Sequence, residues 1–314
     1  MLIRRSLHHI DRTAHAVDYG DWVKIALMDS GIGLLAAAGA VRRLCPEADL
    51  VLSSDPDGMP WGPRSPRDVT ERALVVARAA AQHRPDALIV ACNTASVHAL
   101  PALRAELEPR LPVIGTVPAI KPAAAGGVPF AIWATPATTG SPYQRGLIRE
   151  FAASAEVTEV PCPGLADAVE NADDDAIDRA VAAAAALTPR DVRVVVLGCT
   201  HYELVAERIR TALGHRGLAA IVLHGSAGAV AAQALRRIGG VRAVAAGVAE
   251  GAEGLGPASA AQGTAGVSVP RNGPLGGRLT GRLTVLLGGR ESALPEPALA
   301  YAEGRLLAAV SQVH

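Results

Sequence analysis

From residue 24 onward, short apolar runs alternate with longer stretches whose apolar residues recur at helical spacing. Runs at 24–28, 49–53, 87–91 and 112–115 predict strands, and the pattern restarts at 128–134, 156–160, 192–197 and 219–223. Helices are predicted after Ser65-Pro66 and over 95–108, 144–152, 174–187, 202–213 and 227–238. The start at Ser65 is chemically explicit: Ser65 can cap, Pro66 suits the first helical position, and Asp68 favours the positive end of the helix dipole. Strands alternating with helices make a mainly parallel sheet covered on both faces. The run at 192–197 carries one charge, Arg193, followed by an unbroken apolar stretch, as a doubly covered strand should. Two such series predict an α/β protein of two similar lobes, each a mainly parallel sheet flanked by helices, facing each other across a cleft. The lobes are expected at 23–117 and 118–220, with 221–238 returning to the first. Residues 1–22 read as a weakly ordered extension, 239–281 as a flexible Gly/Ala-rich linker and 282–314 as a final strand and helix.

Composition narrows what such a protein does. Half of the 314 residues are hydrophobic, so the chain has material for a large core and is not dominated by disorder. Lys+Arg and Asp+Glu are 30 each, which argues against a polyanion partner and therefore against nucleic acid. Aromatics are only 3%, which also disfavours a base-stacking surface. No apolar stretch is long enough to span a bilayer, and the first residues lack the apolar run of a signal peptide. Four cysteines in a chain of this length do not make an extracellular disulfide framework, and none shows the C-x-x-C spacing of a zinc site. The expected setting is the reducing cytoplasm, with free thiols and no membrane. The oligomeric state is not fixed by these residues, and a homodimer is compatible with them.

Three polar loops follow predicted strands, where ligands bind in open α/β sheets. They are Asp29-Ser30-Gly31-Ile32-Gly33, Cys92-Asn93-Thr94-Ala95-Ser96 and Gly198-Cys199-Thr200-His201-Tyr202. The second and third share one design: a buried strand, a cysteine, short hydrogen-bonding residues, then a helix start. A thiol at a helix N-terminus is expected to have its pKa lowered towards the thiolate. Two thiols on opposite faces of one carbon can invert a stereocentre, one as base and the other as acid. Asp29 and His201 are the natural partners to poise them. Ser30, Asn93, Thr94 and Thr200 can hold carboxylates without competing as bases. Each loop alone has a plainer reading: a buried Cys is usually a small hydrophobe, and Asp-Ser-Gly or Asn-Thr often only caps a turn. The conjunction of the three favours chemistry, while Cys45 and Cys162 are read as core. Gly31-x-Gly33 lacks the third glycine of a dinucleotide fingerprint, Ala36 standing there instead.

These segments resemble the glutamate racemases of the cofactor-independent aspartate/glutamate racemase superfamily. The resemblance runs through the three loops and through Pro60-Trp61-Gly62 with Ser65, Val113-Ile114-Gly115 with Pro118-Ala119, Ala134-Thr135-Pro136-Ala137-Thr138 with Ser141 and Tyr143, and Val169-Glu170. It covers about residues 24 to 238. It implies a two-lobed enzyme that needs no cofactor and no metal, with glutamate as its small-molecule substrate and a role in supplying D-glutamate for peptidoglycan. It implies that Cys92 takes the α-proton from D-glutamate and Cys199 from L-glutamate, with Asp29 beside Cys92, His201 beside Cys199 and Glu170 behind His201. Ser30, the backbone at Trp61 and Gly62, Asn93, Thr94, Thr138 and Thr200 would hold the amino acid. Three positions depart from the family pattern: Leu34 for Gly, Trp61 for Tyr and Glu203 for Pro. A same-fold racemase of aspartate or a hydantoin, or a non-catalytic binding relative, are the competing readings.

Overall fold

The computed structural model describes residues 23–215, 217, 221–247 and 280–311. Among the described residues, ten strands form two sheets: β1 (Lys24–Asp29), β2 (Asp49–Ser54), β3 (Ala87–Val90), β4 (Val113–Gly115), β5 (Phe130–Ala134), β6 (Val157–Pro161), β7 (Val194–Leu197), β8 (Val222–His224), β9 (Leu283–Leu287) and β10 (Arg290–Ser292). The first sheet runs β10-β9-β2-β1-β3-β4 and the second β6-β5-β7-β8. All neighbours are parallel except β10, which folds back antiparallel on β9. The α/β fold with parallel sheets flanked by helices is therefore as the alternating pattern predicts.

Central strands are apolar because both their faces are covered: β3 and β7 are buried at every residue. The edge strands of the second sheet show the opposite, β6 and β8 being mostly half-exposed. One apolar cluster joins the sheets, bringing Leu27 and Ile89 of the first together with Trp133, Val195 and Leu197 of the second. In each sheet the strand order switches direction at its first strand, β1 between β2 and β3, and β5 between β6 and β7. Crevices open at the carboxyl ends there, which places the loops after β1, β3 and β7 where a ligand would bind.

Several predicted boundaries move. The helix expected over 95–108 is two, Asn93–His98 and Leu100–Leu107, because Pro101 cannot continue the first one. The helix expected over 202–213 is likewise divided into Thr200–Glu203 and Ala206–His215. Short helices at Ile120–Ala124 and Leu165–Glu170 carry too few periodic positions to be visible in the pattern. The return to the first lobe comes later than residue 221, since β8 still pairs with β7. It is made by the helix Ala227–Gly247, which packs on the helix Leu34–Leu44 and on β3. That helix also occupies 239–247, so the expected linker starts further on. The remainder of that linker up to 279 and the expected extension 1–22 lie outside the described residues.

After β9 and β10 the chain makes a 3-10 turn at Glu296–Ala300 and a last helix at Ala302–Ser311, in place of the single helix expected. This closing segment packs on the helix Leu34–Leu44. Among the described residues, no helix is long and apolar enough to cross a membrane.

Candidate active site

β1 ends in Asp29, whose side chain is fully buried. The Ser30 N–H donates to Asp29 Oδ1 at 2.7 Å, and the Thr200 hydroxyl lies 3.5 Å from Oδ2. Burial raises the Asp29 pKa to about 6; the charge on His201 and the bonds from Cys92 and Ser30 recover only part of the cost of ionisation.

β3 leads through Ala91 into Cys92, which sits just before the helix Asn93–His98. From sequence alone this thiol falls under the influence of a helix N-terminus, and a lowered pKa is expected. The structure reverses that expectation. Burial, then the Asp29 charge and the hydrogen bond with Asp29, push Cys92 well above the usual thiol range, and the Ala95 N–H only offsets part of this. A single short helix is a weak field source beside a buried carboxylate. Cys45 and Cys162 are pushed up to about 12, chiefly by burial, as suits inert core thiols.

β7 leads through Gly198 into Cys199, which is half-buried and begins the helix Thr200–Glu203. His201 Nδ1 lies 3.8 Å from Cys199 Sγ, and His201 Nε2 lies 2.9 Å from Glu170 Oε2. The Ile32 N–H donates to the same Glu170 oxygen at 2.8 Å. Burial alone would depress the His201 pKa. Its bonds to Cys199 and Glu170, with the charges of Cys199 and Asp29, outweigh burial and hold it well above the usual imidazole range. The structure thus places Cys199, His201 and Glu170 in one hydrogen-bonded line.

The two cysteine loops meet directly. The Asn93 side-chain amide donates to the Gly198 carbonyl at 2.7 Å, which fixes the orientation of the amide. Its other end, Oδ1, is buried with no hydrogen-bond partner among the described residues. Two glycines make the convergence possible. A methyl on Gly33 would stand 2.6 Å from both His201 Nδ1 and Thr200 Oγ1 and closer still to Asp29 Oδ2; one on Gly31 would collide with the Glu170 carboxylate.

The remaining expected residues sit around this centre. The Trp61 indole turns into the core and donates to Asp55 Oδ2 at 3.0 Å, an oxygen it shares with Arg72. Asp55 Oδ1 accepts the Gly58 N–H, so Asp55 anchors this loop from within. Gly62 comes up against Ala137 of the other lobe. Thr138 is half-buried in a turn closed by its N–H to the Thr135 carbonyl. Thr94 is half-buried at the second residue of its helix. Thr94, Thr138 and Gly62 stand outside the hydrogen-bonded set that links the thiols. Asp55, Gly33 and Glu203 went unassigned in the sequence reading. Glu203 accepts from the Ser226 N–H and hydroxyl and from the Ala227 N–H, and so caps the helix Ala227–Gly247. Its departure from the family pattern was visible; its partner across the chain was not.

Two cysteines thus stand at the carboxyl ends of β3 in the first sheet and β7 in the second, their loops joined through Asn93 and Gly198, with Asp29 near Cys92 and His201 beside Cys199, a set of groups suited to the proton transfers of an isomerase. The family model for Asp/Glu/Hydantoin racemase matches residues 35–247. Glutamate racemase of Sphingopyxis alaskensis is 38% identical over 63% of this chain and 76% of its own length, and that of Vibrio campbellii is 39% identical over 65% and 76%. Among solved structures, Escherichia coli glutamate racemase in complex with L-glutamate and the activator UDP-MurNAc-Ala superposes with a TM-score of 0.64. It is 28% identical, with 70% of this chain and 83% of that chain covered. The chain belongs to the Asp/Glu/Hydantoin racemase family.

Proposed function

We propose that the chain interconverts L-glutamate and D-glutamate by proton transfer between two thiols, acting in the cytoplasm to supply D-glutamate for peptidoglycan. The observation that carries the two-thiol reading is the Asn93–Gly198 bond, which ties the two cysteine loops together while Asp29 and His201 flank them. Cys199 removes the α-proton of L-glutamate, assisted by His201, and Glu170 holds the far side of the imidazole. Cys92, kept protonated by its surroundings, delivers its own proton to the opposite face of Cα. In the reverse direction Cys92 passes its proton to Asp29 and becomes the base, and Cys199 returns a proton. Every step is a proton transfer among Cα, the two sulfurs and the Asp29 carboxylate, so nothing is oxidised or reduced.

The polar groups suit an amino acid. Asn93 Oδ1, buried and unpartnered, can accept from an ammonium. Ser30, Thr94, Thr138, Thr200 and the backbone at Trp61 and Gly62 supply donors for carboxylates. The test is exchange in D₂O. Protein incubated with L-glutamate should place deuterium at Cα as D-glutamate appears, followed by proton NMR and loss of optical activity. Exchange with aspartate or a hydantoin and none with glutamate would overturn the substrate assignment. Exchange with no amino acid would overturn the enzymatic reading.

A further inference from the structure

Glu170 reaches His201 from the last turn of the helix Leu165–Glu170. The carbonyl just before it, that of Val169, lies at the C-terminal end of that helix, where it accepts the Ala172 N–H at 3.1 Å and keeps a second lone pair for a donor from elsewhere in the chain. The Tyr301 hydroxyl donates to this carbonyl at 2.5 Å. Tyr301 is buried, in the same apolar cluster as Val169, Leu34 and Leu307. It belongs to the closing segment, which is tied to the first sheet by β9 alongside β2 and by the packing of its last helix on the helix Leu34–Leu44. The bond therefore runs from a part of the chain seated on the first sheet to the backbone that carries the His201 partner.

From this geometry we infer that Tyr301 is a positioning residue for the Cys199 half of the reaction: by holding the Val169 carbonyl it sets Glu170 so that one carboxylate oxygen meets both His201 Nε2 and the Ile32 N–H. No equivalent bond links the closing segment to Cys92 or Asp29 among the described residues. Burial pushes the Tyr301 phenol up to about 12, so it remains a donor throughout the working range. Removing the hydroxyl perturbs one thiol and spares the other.

The inference rests on the assignment of Cys199 to L-glutamate, and its test separates the two. L- and D-glutamate are equally stable, so Tyr301→Phe must lower kcat/KM equally in both directions, here by about tenfold. The asymmetry is read from isotope effects. Cys199 abstracts the label from 2-deuterio-L-glutamate, and Cys92 from the D-isomer. With the Cys199 step slowed, the isotope effect on kcat/KM should rise for the L-isomer and fall towards one for the D-isomer. Alkylation by iodoacetamide without substrate, followed by peptide mass spectrometry, should slow at Cys199 by about threefold or more and stay unchanged at Cys92. Leu307→Ala, which leaves a cavity in the same segment, should lower the melting temperature and leave the ratio of the two isotope effects as in the wild type. Matching shifts in both isotope effects, equal changes at both thiols, or reproduction of the Tyr301→Phe pattern by Leu307→Ala would each overturn the inference. Selective loss of Cys199 alkylation in a protein whose wild type does not racemise glutamate would sink the substrate assignment and leave the positioning role standing.

Discussion

Gly33→Ala tests the active-site geometry with a single methyl group. Gly33 has φ −56° and ψ −24°, a right-handed conformation that alanine adopts without strain. The substitution therefore acts by contact alone. Its Cβ would lie 2.6 Å from His201 Nδ1 and Thr200 Oγ1, where ordinary contact begins near 3.4 Å, and nearer still to Asp29 Oδ2. These groups must retreat by about 1 Å, a displacement that can cost about 100-fold when it misplaces reacting groups. Asp29 and His201 move together, so the assistance to both thiols is lost, and each such assistance contributes about 100-fold or more. A loss of about 1,000-fold or greater in kcat is expected for L- and D-glutamate alike, read by circular dichroism of the racemising amino acid. The unfolding free energy should change by less than about 2 kcal/mol, since alanine gains in backbone entropy part of what the crowding costs. Gly214→Ala is the control: nothing lies within 4 Å of its Cβ, and activity should be unchanged. A Gly33→Ala protein with more than about a tenth of wild-type activity would refute the convergence of Asp29, Thr200 and His201 on this point.

Cys92→Ser and Cys199→Ser should each abolish racemisation in both directions, because each thiol is acid one way and base the other; full activity in either variant would end the two-thiol mechanism. Asp29→Asn should cost activity and add stability. The raised pKa of Asp29 means that its favourable contribution is complete below 3.8 and lost as pH rises through about 6. That shift corresponds to about 3 kcal/mol. Urea unfolding should therefore show the variant more stable than wild type by up to this amount at pH 7 and equal to it near pH 4; equal stability at both would show that the carboxylate is not desolvated. Glu203→Ala removes the acceptor for three donors at the start of the helix Ala227–Gly247 and should cost about 1–2 kcal/mol in the same assay, a loss below about 0.5 kcal/mol arguing against the cap.

Much of the site was legible because a parallel strand announces its own end. An apolar run that gives way to Asp29-Ser30, Cys92-Asn93 or Cys199-Thr200 marks the crevice side of the sheet, whatever the chemistry there. Ser65 could be read as a cap because the bond it accepts comes from Asp68, within the same turn. Contacts between distant segments were not legible. The thiol of Cys92 is governed by burial and then by Asp29, which lies on another strand, so a rule for isolated helix termini gave the wrong sign. Tyr301 meets Val169 across 132 residues, and no local pattern encodes such a pairing. β8 reads as a strand from its own residues, yet which sheet it joins depends on β7.

The departures from the family pattern fall into place once these distant contacts are known. Leu34 is buried at the start of its helix in the same apolar cluster as Leu294 and Ala298 of the closing segment. Trp61 sends its indole to Asp55 and leaves only backbone at the cleft. Glu203 turns from the helix that bears His201 and spends its carboxylate on the N-terminus of the helix Ala227–Gly247. Burial raises its pKa, and the Ser226 and Ala227 donors oppose that, as does the positive end of the helix dipole. All three therefore act on how segments seat against one another. The side chains of Asp29, Cys92, Cys199, His201 and Glu170 are bonded to one another, or to backbone within the three loops, and among the described residues none is bonded to the side chain of Leu34, Trp61 or Glu203. Substitution at those positions should then alter stability and the seating of these segments before it alters the proton relay.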